Sequence, residues 1–167
     1  MLIFAFSSAT YDTLLVHSSV TLHKGKGYMF LGKSGTGKST HSQLWIKYIE
    51  GCELLNDDNP VIRIVDGKAI VYGTPWSGKT PCYRNLSAPI GAIVRLEQKK
   101  ENRIEKESPV KGFASLLPAC SSMIWDKRSY DGICHTVSSL MGLVSVYHLG
   151  CLPDEEAARL CNSTVVK

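Results

Sequence analysis

Tyr28-Met29-Phe30-Leu31-Gly32-Lys33-Ser34-Gly35-Thr36-Gly37-Lys38-Ser39-Thr40 is the most informative run in the chain. Tyr28 to Leu31 is continuously apolar, the pattern of a strand buried on both faces. Gly32 to Ser39 fits the phosphate-binding pattern G-x-x-x-x-G-K-[ST] in full. Beyond it Leu44, Trp45, Tyr48 and Ile49 recur at helical spacing, and Gly51 follows as a C-cap. Strand, glycine-rich loop and helix in that order have a physical logic. Gly32, Gly35 and Gly37 let the backbone bend until the N–H groups of the loop, with Lys33, Ser34 and Thr36 between them, point inward at phosphate oxygens. The helix beginning near Lys38 turns its positive end to the same place. Lys38 is expected to reach the β- and γ-phosphates, and the Ser39 hydroxyl to ligate Mg²⁺. A random chain of this length meets the pattern in under about 1% of cases. The expected cofactors are therefore ATP, or a related nucleoside triphosphate, and Mg²⁺.

Upstream, Leu14 to Leu22 is rich in β-formers and predicts one strand, and Lys24-Gly25-Lys26-Gly27 carries the glycines of a hairpin turn. Downstream, Cys52 to Asn56 predicts a strand, and Val61–Val65 with Ala69–Tyr72 a hairpin around Asp66-Gly67-Lys68. Residues 73–89 hold three prolines and no hydrophobic period, so they read as a long loop. A strand is expected at 90–96, a charged surface connection at 97–108, helices at 109–117 and 123–140, a strand at 144–149 and a helix at 153–161. Strands and helices mix without strict alternation, which predicts an α/β fold, a mixed-sheet P-loop domain.

With 167 residues, 44% of them apolar and 20% charged, the chain suits one nucleotide-binding domain over 1–167. Residues 1–13 start abruptly on an apolar segment and read as a buried helix or the remnant of a preceding N-terminal domain. That segment is shorter than the ~20 residues of a membrane span, and no basic residue precedes it as in a signal peptide. The net charge of +4 comes from 19 basic and 15 acidic residues that are scattered, without the stripe of a nucleic-acid binder. Six cysteines, none in a C-x-x-C pair, read as free thiols of a cytoplasmic protein. The expected partners are a nucleotide and a phosphate acceptor, with neither nucleic acid nor membrane; association with copies of itself stays open.

Leu54-Leu55-Asn56-Asp57-Asp58 places two carboxylates at the end of an apolar strand. Adjacent acids there are costly unless a cation sits opposite, and a Mg²⁺–triphosphate held by the loop supplies one. One aspartate can then hold the metal while the other takes a proton from an incoming hydroxyl. Asp57 stands only 19 positions after Lys38, and His17 lies on a strand 15 residues before Gly32. This arrangement, over residues 14–73, resembles HPr kinase/phosphorylase and, more distantly, the ATP-dependent phosphoenolpyruvate carboxykinases. The resemblance implies a kinase-like fold, ATP, Mg²⁺ and an active-site role for His17. It puts Asp57 in the place of the catalytic base and Asp58 in that of a metal partner, although either carboxylate can play either part.

The resemblance breaks off after the next strands. There the family carries a glutamate-arginine-glycine signature tied to metal binding and phosphatase activity. Here Gly73-Thr74-Pro75-Trp76-Ser77-Gly78-Lys79-Thr80-Pro81-Cys82-Tyr83-Arg84 contains no acid. The implication therefore stops short of phosphorylase activity and of HPr as substrate, and the chain is more similar to the small HPr-kinase-like proteins of bacterial genomes. Lys79 and Arg84 are candidate clamps on the γ-phosphate or an anionic substrate, and Trp76 is expected on the base or on the core. His41 is expected on the surface of its helix, and Met123, Trp125 and Tyr130 in the core or an interface. The leading expectation is a kinase moving the γ-phosphate of ATP to a hydroxyl of a small molecule or a protein serine. A nucleotide-binding module without catalysis comes second and a carboxykinase last.

Overall fold

The segment expected as one strand from Leu14 to Leu22 is two strands that part at Val16-His17. In the computed structural model, which describes residues 1–78 and 80–167, a short helix α1 (Leu2–Ser8) leads into β1 (Thr13–Leu15), and β2 (Ser18–His23) follows the break. β3 (Lys26–Leu31), α2 (Lys38–Tyr48), β4 (Glu53–Asp58), β5 (Val61–Val65) and β6 (Lys68–Tyr72) come next. The remaining elements are β7 (Ser87–Gln98), β8 (Arg103–Lys106), α3 (Pro109–Leu116), α4 (Lys127–Leu140), β9 (Val146–Cys151) and α5 (Glu155–Val165).

The break has a partner across the ladder. β2 pairs antiparallel with β4 and β1 with β5, so residues 13–23 and 53–65 form one long ribbon. Asn59-Pro60 interrupts it opposite Val16-His17. Pro60 has no N–H to donate, but its carbonyl still accepts from Val16 N at 3.1 Å. His17 N donates instead to Ala119 O at 2.8 Å. The ribbon bends there, and its halves serve opposite ends of a curled mixed sheet in the order β1-β5-β6-β7-β3-β2-β4, with β9 beside β7 and β8 beside β9.

The apolar run at Tyr28–Leu31 is buried on both faces, as expected. Tyr28 and Phe30 pack with Trp45, Val94, Leu149 and Cys161 under α2 and α5. Met29 and Leu31 pack with Ile93, Leu116, Ile133, Val137 and Leu140 under α3 and α4. Side chains alternating along a strand between two helix-covered faces leave no polar position. β3 is parallel to β7, β7 to β9, and β4 runs the same way as β3. Their carboxyl ends therefore meet at one edge, where open α/β sheets bind ligands.

Other expectations are corrected. The charged stretch 97–108 contains β8, whose Ile104 alone turns toward the α5 core while its other side chains are exposed. The longer strand β7 begins at Ser87 because its first residues pair with β6 before the rest pair with β3 and β9. α1 is a helix but not a buried one: Ile3 is 85% exposed. Trp125 precedes α4 and is 84% exposed, so it is not core.

His41 is also buried rather than on the surface. α2 turns Lys38, His41, Ser42 and Trp45 inward, three of them polar. Within the helix Trp45 Nε1 donates to His41 Nε2 at 3.1 Å, and across to β2 the Ser42 and Ser19 hydroxyls lie 2.6 Å apart. Burial pushes the His41 imidazole down to about 4 from its usual 6.5. The unfolded chain takes up this proton near 6.5 and the folded one refuses it until near 4. Stability should therefore fall as pH drops through that window, by about 3 kcal/mol in all. Urea unfolding of the nucleotide-free protein at several pH values tests this: His41→Gln, which can still accept from Trp45, should flatten the wild-type slope, and an unchanged slope would contradict it.

Candidate functional site

Residues from four elements gather where the parallel strands end. Gly35 (φ 81°) and Gly37 (φ 105°) hold the left-handed conformations that carry the loop from β3 into α2, and Gly37 is the N-cap. Lys33, Ser34, Gly35 and Thr40 are exposed, while Gly32, Thr36 and Ser39 are half-buried. Lys38 is buried and folds back on the loop, its Nζ donating to Gly32 O at 2.9 Å and Lys33 O at 3.3 Å. Burial lowers its pKa, while Asp58 and then Asp57 pull it up, as expected of carboxylates close by. Gln98, at the end of β7, pins the loop from the far side by donating to Gly35 O and Thr36 O, both at 3.4 Å.

β4 runs through both aspartates, which are strand residues rather than a turn. Asp57 stands opposite Ser19, and therefore on the face that Ser19 shares with α2. It is 2% exposed, and neither carboxylate oxygen accepts a hydrogen bond from any described residue. A sealed carboxylate without donors calls for a cation. Lys38, in the first turn of α2, is close enough to feel its charge, and such a carboxylate is of the kind that takes a divalent metal. Asp58 is half-buried, with its Oδ1 3.5 Å from His17 Nε2. Burial and then Lys38 hold the His17 imidazole below its usual range, against the pull of Asp58.

A loop is laid along the acid pair. Asn56 Nδ2 donates to Thr74 Oγ1 and Trp76 O, each at 3.2 Å, and Thr74 Oγ1 donates to Asn59 O at 2.8 Å. Gly78 N donates to Asp57 O at 2.6 Å, and a Cβ on Gly78 would lie 2.5 Å from that oxygen, so only glycine comes this close. Trp76 packs on the core side, its ring 5.6 Å from Phe4. Arg84 does not reach the phosphate loop. Its Nη1 is 2.7 Å from Glu53 Oε2 and donates to Leu54 O at 2.8 Å, at the end of β4 away from Asp57. The acid it pairs with lies outside the 73–84 stretch. The other candidate clamp, Lys79, lies outside the described residues.

A cleft of about 1280 Å³ opens beside the loop, bounded by His17, Gly32–Thr36, the end of β7, β8, α3 and His148. Arg95 Nη2 lies 3.2 Å from Glu107 Oε1, Ser115 Oγ donates to Glu107 Oε2 at 2.7 Å, and His148 Nε2 lies 2.9 Å from Glu97 Oε2. Sequence reasoning missed these residues. They come from separate elements, and no motif spans them.

Compared by sequence with family models and with curated proteins, the chain matches none. Compared as a structure, it is similar to the HPr(Ser) kinase/phosphatase from Coxiella burnetii. The TM-score is 0.50 and the identity 12%, over 90% of this chain and 93% of that one. The chain thus has the α/β fold of the HPr kinase type, a curled mixed sheet with the phosphate-loop pattern at its edge. Among the described residues, no helix is long and apolar enough to cross a membrane.

Asn56 ties the loop to the acid pair, and removing its amide leaves buried partners unmet. Asn56→Ala should cost about 1–3 kcal/mol of stability and speed hydrogen exchange at residues 74–78. Unchanged exchange there would mean that the loop is held by other contacts.

Proposed function

We infer that this protein belongs to the HPr kinase-like P-loop family and is a cytoplasmic, Mg²⁺-dependent kinase. It binds ATP or a related triphosphate on Gly32–Thr40 and passes the γ-phosphate to a hydroxyl. The observation that carries this reading is the buried Asp57 carboxylate, left without donors beside Lys38 and the phosphate loop. A nucleotide-binding module alone needs the loop. It does not need a second acid in contact with a histidine that lines an open cleft.

The loop N–H groups and Lys38 hold the β- and γ-phosphates and stabilise charge that grows during transfer. Ser39 and Asp57 are the residues that would hold Mg²⁺, which supplies neutralisation of the phosphate charge. Asp58, half-buried beside the cleft-lining His17, takes the proton from the acceptor hydroxyl, and His17 positions its carboxylate. This exchanges the roles that the family resemblance implies for the two aspartates, because a base must be reached by the acceptor and Asp57 is sealed.

Lys38→Ala should cost on the order of 2–4 kcal/mol of ATP affinity. Calorimetry with unchanged affinity would remove the nucleotide reading. Asp58→Asn should leave Mg²⁺-dependent nucleotide binding intact while slowing turnover roughly 10²-fold. Asp57→Asn should abolish the Mg²⁺ dependence of binding. The opposite pattern would return the base to Asp57, and wild-type binding without turnover on any acceptor would favour the binding module.

A further inference from the structure

The cleft beside the phosphate loop has an uneven charge inventory. Each of its three carboxylates is engaged: Glu107 by Arg95 at 3.2 Å, Glu97 by Lys99 at 2.8 Å and His148 at 2.9 Å, and Glu105 by Arg103. Its lysines Lys33, Lys106 and Lys111 have no ion-pair partner among the described residues. Lys106 ends β8 and Lys111 stands in the first turn of α3, so two of these cations belong to elements apart from the nucleotide loop. The result is a concave site whose spare charge is positive, which raises the local concentration of anions. The same cleft reaches His17, and through it Asp58 at 3.5 Å. Its volume of about 1280 Å³ exceeds the roughly 300–1,000 Å³ of ordinary small-ligand pockets, leaving room for an acceptor beside a γ-phosphate.

We propose that this cleft is the acceptor site and selects a hydroxyl flanked by carboxylate or phosphate groups, with Lys106 and Lys111 as specificity residues. The proposal rests on the kinase reading above. In the step it serves, the acceptor oxygen forms a bond to the γ-phosphorus as the bond to the β,γ-bridging oxygen breaks. The hydroxyl proton goes to Asp58, and the nucleoside diphosphate leaves with the bridging oxygen. Lys106 and Lys111 hold the acceptor's fixed anionic groups in ground state and transition state alike, so they set KM rather than kcat.

The test measures binding first and turnover second. A fluorescent ATP analogue with Mg²⁺ establishes nucleotide binding, and its failure would sink the kinase reading alone. Four probes are then titrated into the nucleotide-loaded protein: a serine peptide flanked by glutamates, the same peptide flanked by lysines, malate and glycerol. The glutamate peptide, malate or both should bind, more weakly as salt rises, and the lysine peptide and glycerol should not. Which acidic probe binds tells a chain-borne acceptor from a small one. The exposed Lys106 and Lys111 can be changed without disturbing the core, and the Lys106→Ala/Lys111→Ala variant should weaken the bound probe about tenfold or more. Where that probe is phosphorylated, its KM should rise by the same factor with kcat little changed. Lys106→Glu/Lys111→Glu should bind the lysine peptide better than the wild type does. Failure of both acidic probes to bind, equal binding of the lysine peptide, or unchanged affinity in the alanine variant would each overturn the proposal.

Discussion

A proline that cannot donate a hydrogen bond sits at the pivot of this molecule. At Pro60 the ladder between residues 13–23 and 53–65 loses a rung, and the ribbon bends instead of running straight. One half lies beside β3 and the other beside β6, so the ribbon joins the two ends of the sheet. His17, Asp57 and Asp58 stand at or next to that bend, near the end of β3 where the glycine-rich loop begins. A straight ribbon would carry β1 and β5 away from this edge.

The bend gathers charge that the fold does not neutralise by itself. Two adjacent carboxylates, one of them sealed from water, stand near the buried Lys38, whose ammonium bonds to loop carbonyls rather than to either acid. Withholding donors from a buried carboxylate costs roughly several kcal/mol, which structural residues seldom impose. Sites built to receive a cation and a polyanion are where such local violations are expected. The glycine-rich loop beside it brings backbone N–H groups and the N-terminal end of α2 to the same place.

The same demand explains why α2 breaks the ordinary rule for a surface helix. Its inward face carries Lys38, His41 and Ser42 beside Trp45. It is tied to β2 by the Ser42–Ser19 contact and to β3 by the Trp45 and His41 rings packed around Phe30, while the Trp45–His41 bond braces the helix from within. Such a helix is fixed in register more tightly than an apolar stripe would fix it, since hydrogen bonds tolerate little sliding.

Much of the candidate site was legible in the chain because its chemistry is local. Gly32–Ser39 needs only consecutive residues to make a loop. Tyr28–Leu31 announces a two-sided strand by being apolar throughout, and Asp57-Asp58 are neighbours by covalent bond. Everything that failed to show depends on which distant segments become neighbours. Arg84 has no acid beside it in the 73–84 stretch and only the fold lays Glu53 there, and His41 looked exposed until Trp45 and Phe30 closed over it. β8 looked like a charged connection because pairing with β9 on one edge asks for only one inward side chain. The cleft itself is made by the ends of β7 and β8, by α3 and by the loop, none of which carries a signature for the others. Local backbone conformation and side-chain chemistry act within a few residues and can be read in order along the chain. Burial, ion pairing and the shape of a cavity are properties of packed neighbours, and these exist only once the sheet has curled.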